Sequence, residues 1–219
     1  MMFDHHQLRQ AWDSTHQTKP VSEGPEQGIL DFVEHVQTQS SPGVALLDAG
    51  CGRGRNALPL SRLGFTVYAC DLSPVALDIA KTRAQDTALP IRFQVSDLTC
   101  LPYAKHAFSA AICVHVLPYH FKADIAKGMR EFWRVLQPNG WLYFDLLDPE
   151  DAEYGCGENL EENTFLDPGG TPLHFSSQAE IDELTQGFVL ERVIRHEFKP
   201  SPVRRRVAWT VWAVKCSMG

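Results

Sequence analysis

No apolar run in this 219-residue chain is long enough to span a bilayer, so no membrane helix and no membrane partner is expected. The opening residues, Met1-Met2-Phe3-Asp4-His5-His6, lack the basic-then-apolar layout of a secretion signal, and a cytoplasmic location is expected. The 6 cysteines are scattered, with no Cys-x-x-Cys pair. They read as reduced thiols, and neither a disulfide frame nor a metal site is expected. Positive charge is scarce: 20 Lys and Arg stand against 27 Asp and Glu, a formal net charge of −7. That argues against a general attraction to nucleic acid, although it leaves room for a local basic patch. Repeats and low-complexity tracts are also missing from the sequence. What remains is ordinary for a globular protein, 44% hydrophobic and 21% charged, and long enough for one α/β domain with its own core.

The most informative stretch is Leu46-Leu47-Asp48-Ala49-Gly50-Cys51-Gly52-Arg53-Gly54-Arg55. An apolar run from Val44 ends in a carboxylate, three glycines follow at alternate positions, and Ala57, Leu58 and Leu60 then continue at helical spacing. This predicts a strand, a tight turn and a helix. Alternate glycines remove side chains and permit positive φ, so a ligand can lie directly on the backbone. The helix that follows directs its free N–H groups there. A dinucleotide-binding turn would carry a third glycine at position 55, where Arg55 stands. About 20 residues on, Thr66 to Cys70 forms a second apolar run ending in Asp71. Ser73 and Pro74 behind it suit the cap and first position of a helix. A carboxylate at that strand end can accept from both hydroxyls of a ribose.

The acid-x-Gly-x-Gly-x-Gly pattern at Asp48 to Gly54 resembles the first motif of the class I S-adenosylmethionine (SAM)-dependent methyltransferases. Two further stretches are similar to landmarks of that family: Ser96-Asp97-Leu98-Thr99-Cys100-Leu101-Pro102, and Arg130 to Gly140 with its Arg134-Val135-Leu136 and Pro138-Asn139-Gly140. The resemblance covers Val44 to Leu147 by motif. It implies a Rossmann-like, doubly wound α/β sheet of seven strands, mostly parallel with a C-terminal antiparallel hairpin. It also implies SAM as methyl donor and S-adenosylhomocysteine (SAH) as product, with in-line displacement at the sulfonium methyl. By position, Gly50, Cys51, Gly52 and Gly54 would take the methionine end, Asp71 and Leu72 the ribose, and Asp97 and Leu98 the adenine. Asp48 would support the turn or accept from the amino group through water. The stretch Asp48 to Phe65, with Gly54-Arg55-Asn56, is locally similar to tellurite- and thiol-type methyltransferases.

The remaining chain is read around that core. A single domain over 1–219 is expected, with an N-terminal cap and helix (1–40), the SAM-binding core (44–147), a substrate-side insertion (148–175) and a C-terminal helix and hairpin (176–219). Residues 3–22 are polar, broken by Pro20 and Ser22, and read either as a loose arm or as a cover bringing Trp12 and His16 to the site. Phe108 to Val114 predicts the fourth strand, and His115, Tyr119 and His120 beyond it are candidates for positioning substrate or for a general base. His115 also counts among the cofactor candidates. Asp148 to Phe175 has no periodicity and carries 7 carboxylates by Glu162, reading as a substrate loop or a solvated one. The run Arg204-Arg205-Arg206 reads as an anion site or as partners for those carboxylates. No Asn-Pro-Pro-Tyr-like motif follows the fourth strand, so amino methylation of DNA or protein is disfavoured. A small-molecule acceptor, no nucleic acid, and a monomer or homodimer are expected. A non-catalytic SAM-binding protein and a nicotinamide-dependent reductase stay open as alternatives.

Overall fold

Leu46 and Leu47 are neighbours in sequence and both are fully buried, one in each of two apolar cores. Successive side chains of a strand point to opposite faces, so consecutive buried apolar residues mark a strand covered on both faces. That strand is β1 (Ala45–Ala49), the centre of the molecule in a computed structural model that describes residues 5–18, 24–39, 43–201 and 204–217.

After α1 (His5–Thr18) and α2 (Gln27–Gln39), strands and helices alternate: β1, α3 (Ala57–Arg62), β2 (Thr66–Asp71), α4 (Pro74–Asp86), β3 (Arg92–Val95), β4 (Phe108–Cys113), α5 (Lys122–Val135) and β5 (Leu136–Leu147). Then come β6 (Asn159–Glu161), β7 (Thr164–Leu166), β8 (Pro172–His174), α6 (Gln178–Leu184), β9 (Phe188–Ser201) and β10 (Arg204–Lys215). The main sheet has seven strands in the order β3-β2-β1-β4-β5-β10-β9. Pairings among β1 to β5 are parallel, and β10 runs antiparallel to both β5 and β9. The expected doubly wound sheet with its terminal hairpin is therefore present. One face is covered by α2 through Ile29, Phe32, Val33 and Val36, the other by α5 through Ile125, Met129, Phe132 and Val135. The strand order reverses between β1 and β4, and the crevice beyond their carboxyl ends is where such sheets hold ligands.

Three segments differ from their sequence reading. The polar N-terminal stretch forms helix α1 and packs on α4; its breakers Pro20 and Ser22 lie outside the described residues. Pro138-Asn139-Gly140, which by composition reads as a turn ahead of a fifth strand from Trp141 to Leu147, is absorbed into β5 as an irregularity, with Asn139 at φ 62° and a register shift opposite Phe108 and Ala110. The aperiodic insertion forms a small antiparallel sheet, β6-β7-β8, whose strands of three residues are too short to show a period. Its carboxylates pair with the hairpin: Asp148 accepts from Arg195 at 2.8 and 2.9 Å, and Asp151 with Glu153 holds Arg206. Arg205 lies between Glu150 and Glu197. That separates the two readings of the arginine run for Arg205 and Arg206, in favour of carboxylate partners.

Candidate functional site

The turn after β1 is anchored on its neighbour. The N–H groups of Gly50 and Cys51 both donate to the Cys70 carbonyl at the end of β2, at 2.8 and 2.9 Å. Gly50 has φ 75°, and a Cβ there would stand 2.1 Å from a methyl of Val116. Space and backbone conformation each exclude a side chain at that position. Asp71 closes the turn from the other strand. Its Oδ2 accepts from the Gly52 N–H at 2.7 Å and its Oδ1 from the Ser73 N–H at 2.8 Å. Burial pushes its carboxyl up to about 6. Ser73 caps α4 through the Ala76 N–H and donates its hydroxyl to Asp13 of α1 at 2.5 Å.

Around this turn lies a cavity of about 90 Å³. Of the residues singled out in sequence, Gly50, Gly52, Asp71, Leu72, Asp97, Leu98, His115 and His120 line it. Asp48, Cys51 and Gly54 do not. Asp48 is buried beneath the turn, where it accepts from the Ala57 N–H. Cys51 is buried in the core on the α2 side of the sheet, and Gly54 faces Leu58 and Ala80. Sequence reasoning missed Leu8, Ala49, Cys70, Ser96 and Val116, which complete the wall with Trp12 and His16. Ser96 precedes Asp97 in its motif and was within reach of that signal. Leu8 and Val116 are brought in only by packing.

The donor set fits a nucleoside. Apolar groups (Ala49, Leu72, Leu98, Val116) offer faces for a flat ring, and two carboxylates, Asp71 and Asp97, offer acceptors for hydroxyl and amino hydrogens. A Cβ on Gly52 would stand 3.3 Å from the His16 ring, so the absence of that side chain keeps the floor of the cavity open.

A second cavity of about 720 Å³ opens beside the first, and His115 lines both. Glu26, Tyr119, Tyr143, Asp145, Arg192 and Trp212 are among its walls. His115 follows β4 with φ 57°, a conformation costing a non-glycine residue about 1–2 kcal/mol. Asp145 on β5 holds it there, accepting from its backbone N–H at 2.7 Å and from Nδ1 at 2.8 Å, while Nε2 meets Glu26 at 2.9 Å. The two carboxylates, Asp145 foremost, raise the imidazole to about 10, and the bond to His115 draws Glu26 down to about 2. An imidazole protonated at neutral pH is a donor and not a base. Tyr119 lies in the second cavity, edge-on to Trp12 with ring centroids 4.9 Å apart. His120 lies in the first, its Nδ1 2.9 Å from the Val116 carbonyl. The three side chains beyond β4 are thus divided between the two cavities.

Comparison with known proteins bears on the family and the fold. The Methyltransferase domain family matches residues 47–144. The chain is similar to the human tRNA N(3)-cytidine methyltransferase METTL2B, 28% identical over 193 residues, covering 81% of this chain and 50% of that protein. It is also similar to the uncharacterized methyltransferase YodH of Bacillus subtilis (strain 168), 33% identical over 121 residues, 54% of this chain and 51% of that one. The chain therefore spans about half the length of these curated relatives. In fold it is similar to a solved SAM-dependent methyltransferase from Methanosarcina mazei, with TM-score 0.73, 22% identity, and coverage of 85% of this chain and 98% of the other. One expectation is overturned. The reading of a small-molecule acceptor with no nucleic acid conflicts with relatives named for methylating cytidine in tRNA. It rested on the absence of an Asn-Pro-Pro-Tyr-like motif, which bears on amino methylation of DNA or protein and not on RNA, and on a net charge of −7, which averages over the surface and says nothing of where the cations gather. No helix among the described residues is long and apolar enough to cross a membrane. From the glycine turn, the strand-end acids, the sheet order and the family match, residues 47–144 of the chain form a methyltransferase domain of the class I, S-adenosylmethionine-dependent kind.

Proposed function

We propose that this chain methylates a ring nitrogen of a nucleobase in RNA. The observation that carries the reading is the meeting of two cavities at His115, one suited to a nucleoside and the other wide enough for a flat acceptor. When bound, SAM supplies an activated methyl group. Gly50 and Gly52 would take its methionine end, Asp71 its ribose, and Asp97 with Leu98 its adenine.

The acceptor cavity has the flat, polarisable walls on which bases stack. Tyr119 and Tyr143 line it, and the Arg192 guanidinium lies 4.1 Å over the Trp212 ring. Asp145 and Glu26, which line this cavity beside His115, are acceptors for an exocyclic amino group. The N3 of a cytosine brings its own lone pair, so no side chain has to remove a proton first. That agrees with a His115 which keeps its proton. The residues' main contribution is alignment, which can supply most of the rate when the reacting atoms are held about 3 Å apart. The likeness to a tRNA cytidine methyltransferase over 81% of the chain supports the same acceptor class.

The test is methyl transfer from methyl-labelled SAM to total tRNA, followed by nuclease digestion and separation of nucleosides. Label is expected in a base methylated at a ring nitrogen. Label that enters a small-molecule extract but never RNA overturns the proposal.

A further inference from the structure

A third concavity, of about 400 Å³, opens beside α3 and the end of α4 and shares no lining residue with the two cavities of the site. Arg55, Arg62 and Arg83 line it, with Asp86 as the sole carboxylate among its lining residues. Three guanidinium groups to one acid is the reverse of the chain's overall balance. Their bonds leave much of this charge unspent. Arg62 is exposed and makes no hydrogen bond or ion pair among the described residues. Arg83 gives one Nη1 to the Arg53 carbonyl at 2.6 Å, a neutral partner. Arg53, which holds that carbonyl, adds a further guanidinium to the same stretch of chain without lining the concavity. Arg55 joins the concavity to the acceptor site, because it pairs at 3.2 Å with Glu26, the carboxylate that bonds His115.

We propose that this concavity is a phosphate-binding subsite, in which Arg55, Arg62 and Arg83 hold a backbone phosphate of the RNA whose base enters the acceptor cavity. The inference rests on the function proposed above. Guanidinium forks match phosphate oxygens two at a time. Phosphate contacts fix register and orientation without reading sequence, which is what a buried base needs from the strand that carries it.

Fluorescently labelled tRNA titrated against the full chain over a salt series tests it, with Arg62→Ala and Arg62→Glu alongside. The expected Kd rises by about three- to tenfold for Arg62→Ala and further for Arg62→Glu. The slope of log K against log salt falls by about 0.7–0.9, the loss of one phosphate contact. SAH affinity, measured by calorimetry, stays at the wild-type value and shows that the variants are folded. If wild type binds tRNA and both variants bind it with the same Kd and slope, the subsite is overturned and the proposed function stands. If wild type binds no tRNA, both are overturned. Should inorganic phosphate then raise the melting temperature of wild type but not of Arg62→Glu, the concavity takes free phosphate and not an RNA strand.

Discussion

Burial of Asp48 beneath the glycine turn leaves its Oδ2 without a hydrogen-bond partner among the described residues, and desolvation pushes the carboxyl from 3.8 up to about 7. Between those values the folded chain keeps a proton that the unfolded chain has released. From this group, stability is full below about pH 4 and is lost as pH rises to about 7. Asp48→Asn removes that loss. The variant is expected to gain on wild type by roughly 2–4 kcal/mol between pH 4 and pH 8, at about 1.4 kcal/mol for each pH unit separating the folded and unfolded carboxyl. Urea unfolding at the two pH values measures it, and a difference that stays flat with pH shows that Asp48 is not a buried acid. At this scale the sequence was legible where chemistry and backbone coincide. Asp71 stood out because a strand end, a cap and a proline surround it. His115 was visible only as one of three candidates, since its hold on Asp145 crosses from one strand end to another 30 residues away.

Helix α1 shows an element that composition left between two readings, a loose arm and a cover. Its residues are polar on average because one face meets a cavity and not a core. Leu8, Trp12 and His16 line that cavity, Asp13 bonds Ser73, and the His16 carbonyl accepts from Arg53 at 3.3 Å. With α1 in place the space beneath it is about 90 Å³, below the roughly 300 Å³ at the lower end of small-molecule sites. A helix so placed covers a nucleoside that lies on the turn. Trp12→Ala removes its edge-on contact with Tyr119, and aromatic pairs of this kind contribute about 1 kcal/mol. SAH is expected to dissociate about fivefold faster from the variant in a stopped-flow chase. An unchanged rate would mean that α1 does not cover the ligand. The insertion was illegible for a different reason. Its strands of three residues bury an apolar cluster, Leu173 and Phe175 with Phe165 against them, next to a polar one, His174 between Thr164 and Glu180 of α6 at 2.7 Å on each side, and runs so short leave no hydrophobic period.

Taken whole, the molecule is a sheet covered on both faces with a ligand crevice at its switch point, and ligand binding should stabilise all of it at once. SAH at a hundredfold its Kd adds about 2.7 kcal/mol. For a chain of this length that corresponds to a rise of about 5–10 °C in Tm. Scanning calorimetry with and without SAH reads the shift, and no shift at millimolar ligand would count against the cofactor assignment. Net charge is also a whole-molecule quantity, and here it misleads. The chain carries 27 acids to 20 bases, yet several of its acids pair with the hairpin arginines, while Arg55, Arg62 and Arg83 gather in one concavity.

Local sequence was enough for the sheet, the glycine turn and the acids at the strand ends. An apolar run with no polar alternation has to lie inside a covered sheet, and only glycine can occupy a φ of 75° against the side chain of Val116. Which side chains share a cavity was settled only in three dimensions. Residues as far apart as Trp12, Glu26, Asp145 and Trp212 meet around His115 and Tyr119 because strand order, and not distance along the chain, sets what stands beside what. Where the charge collects was settled there too, since pairing depends on reach across elements that composition cannot record.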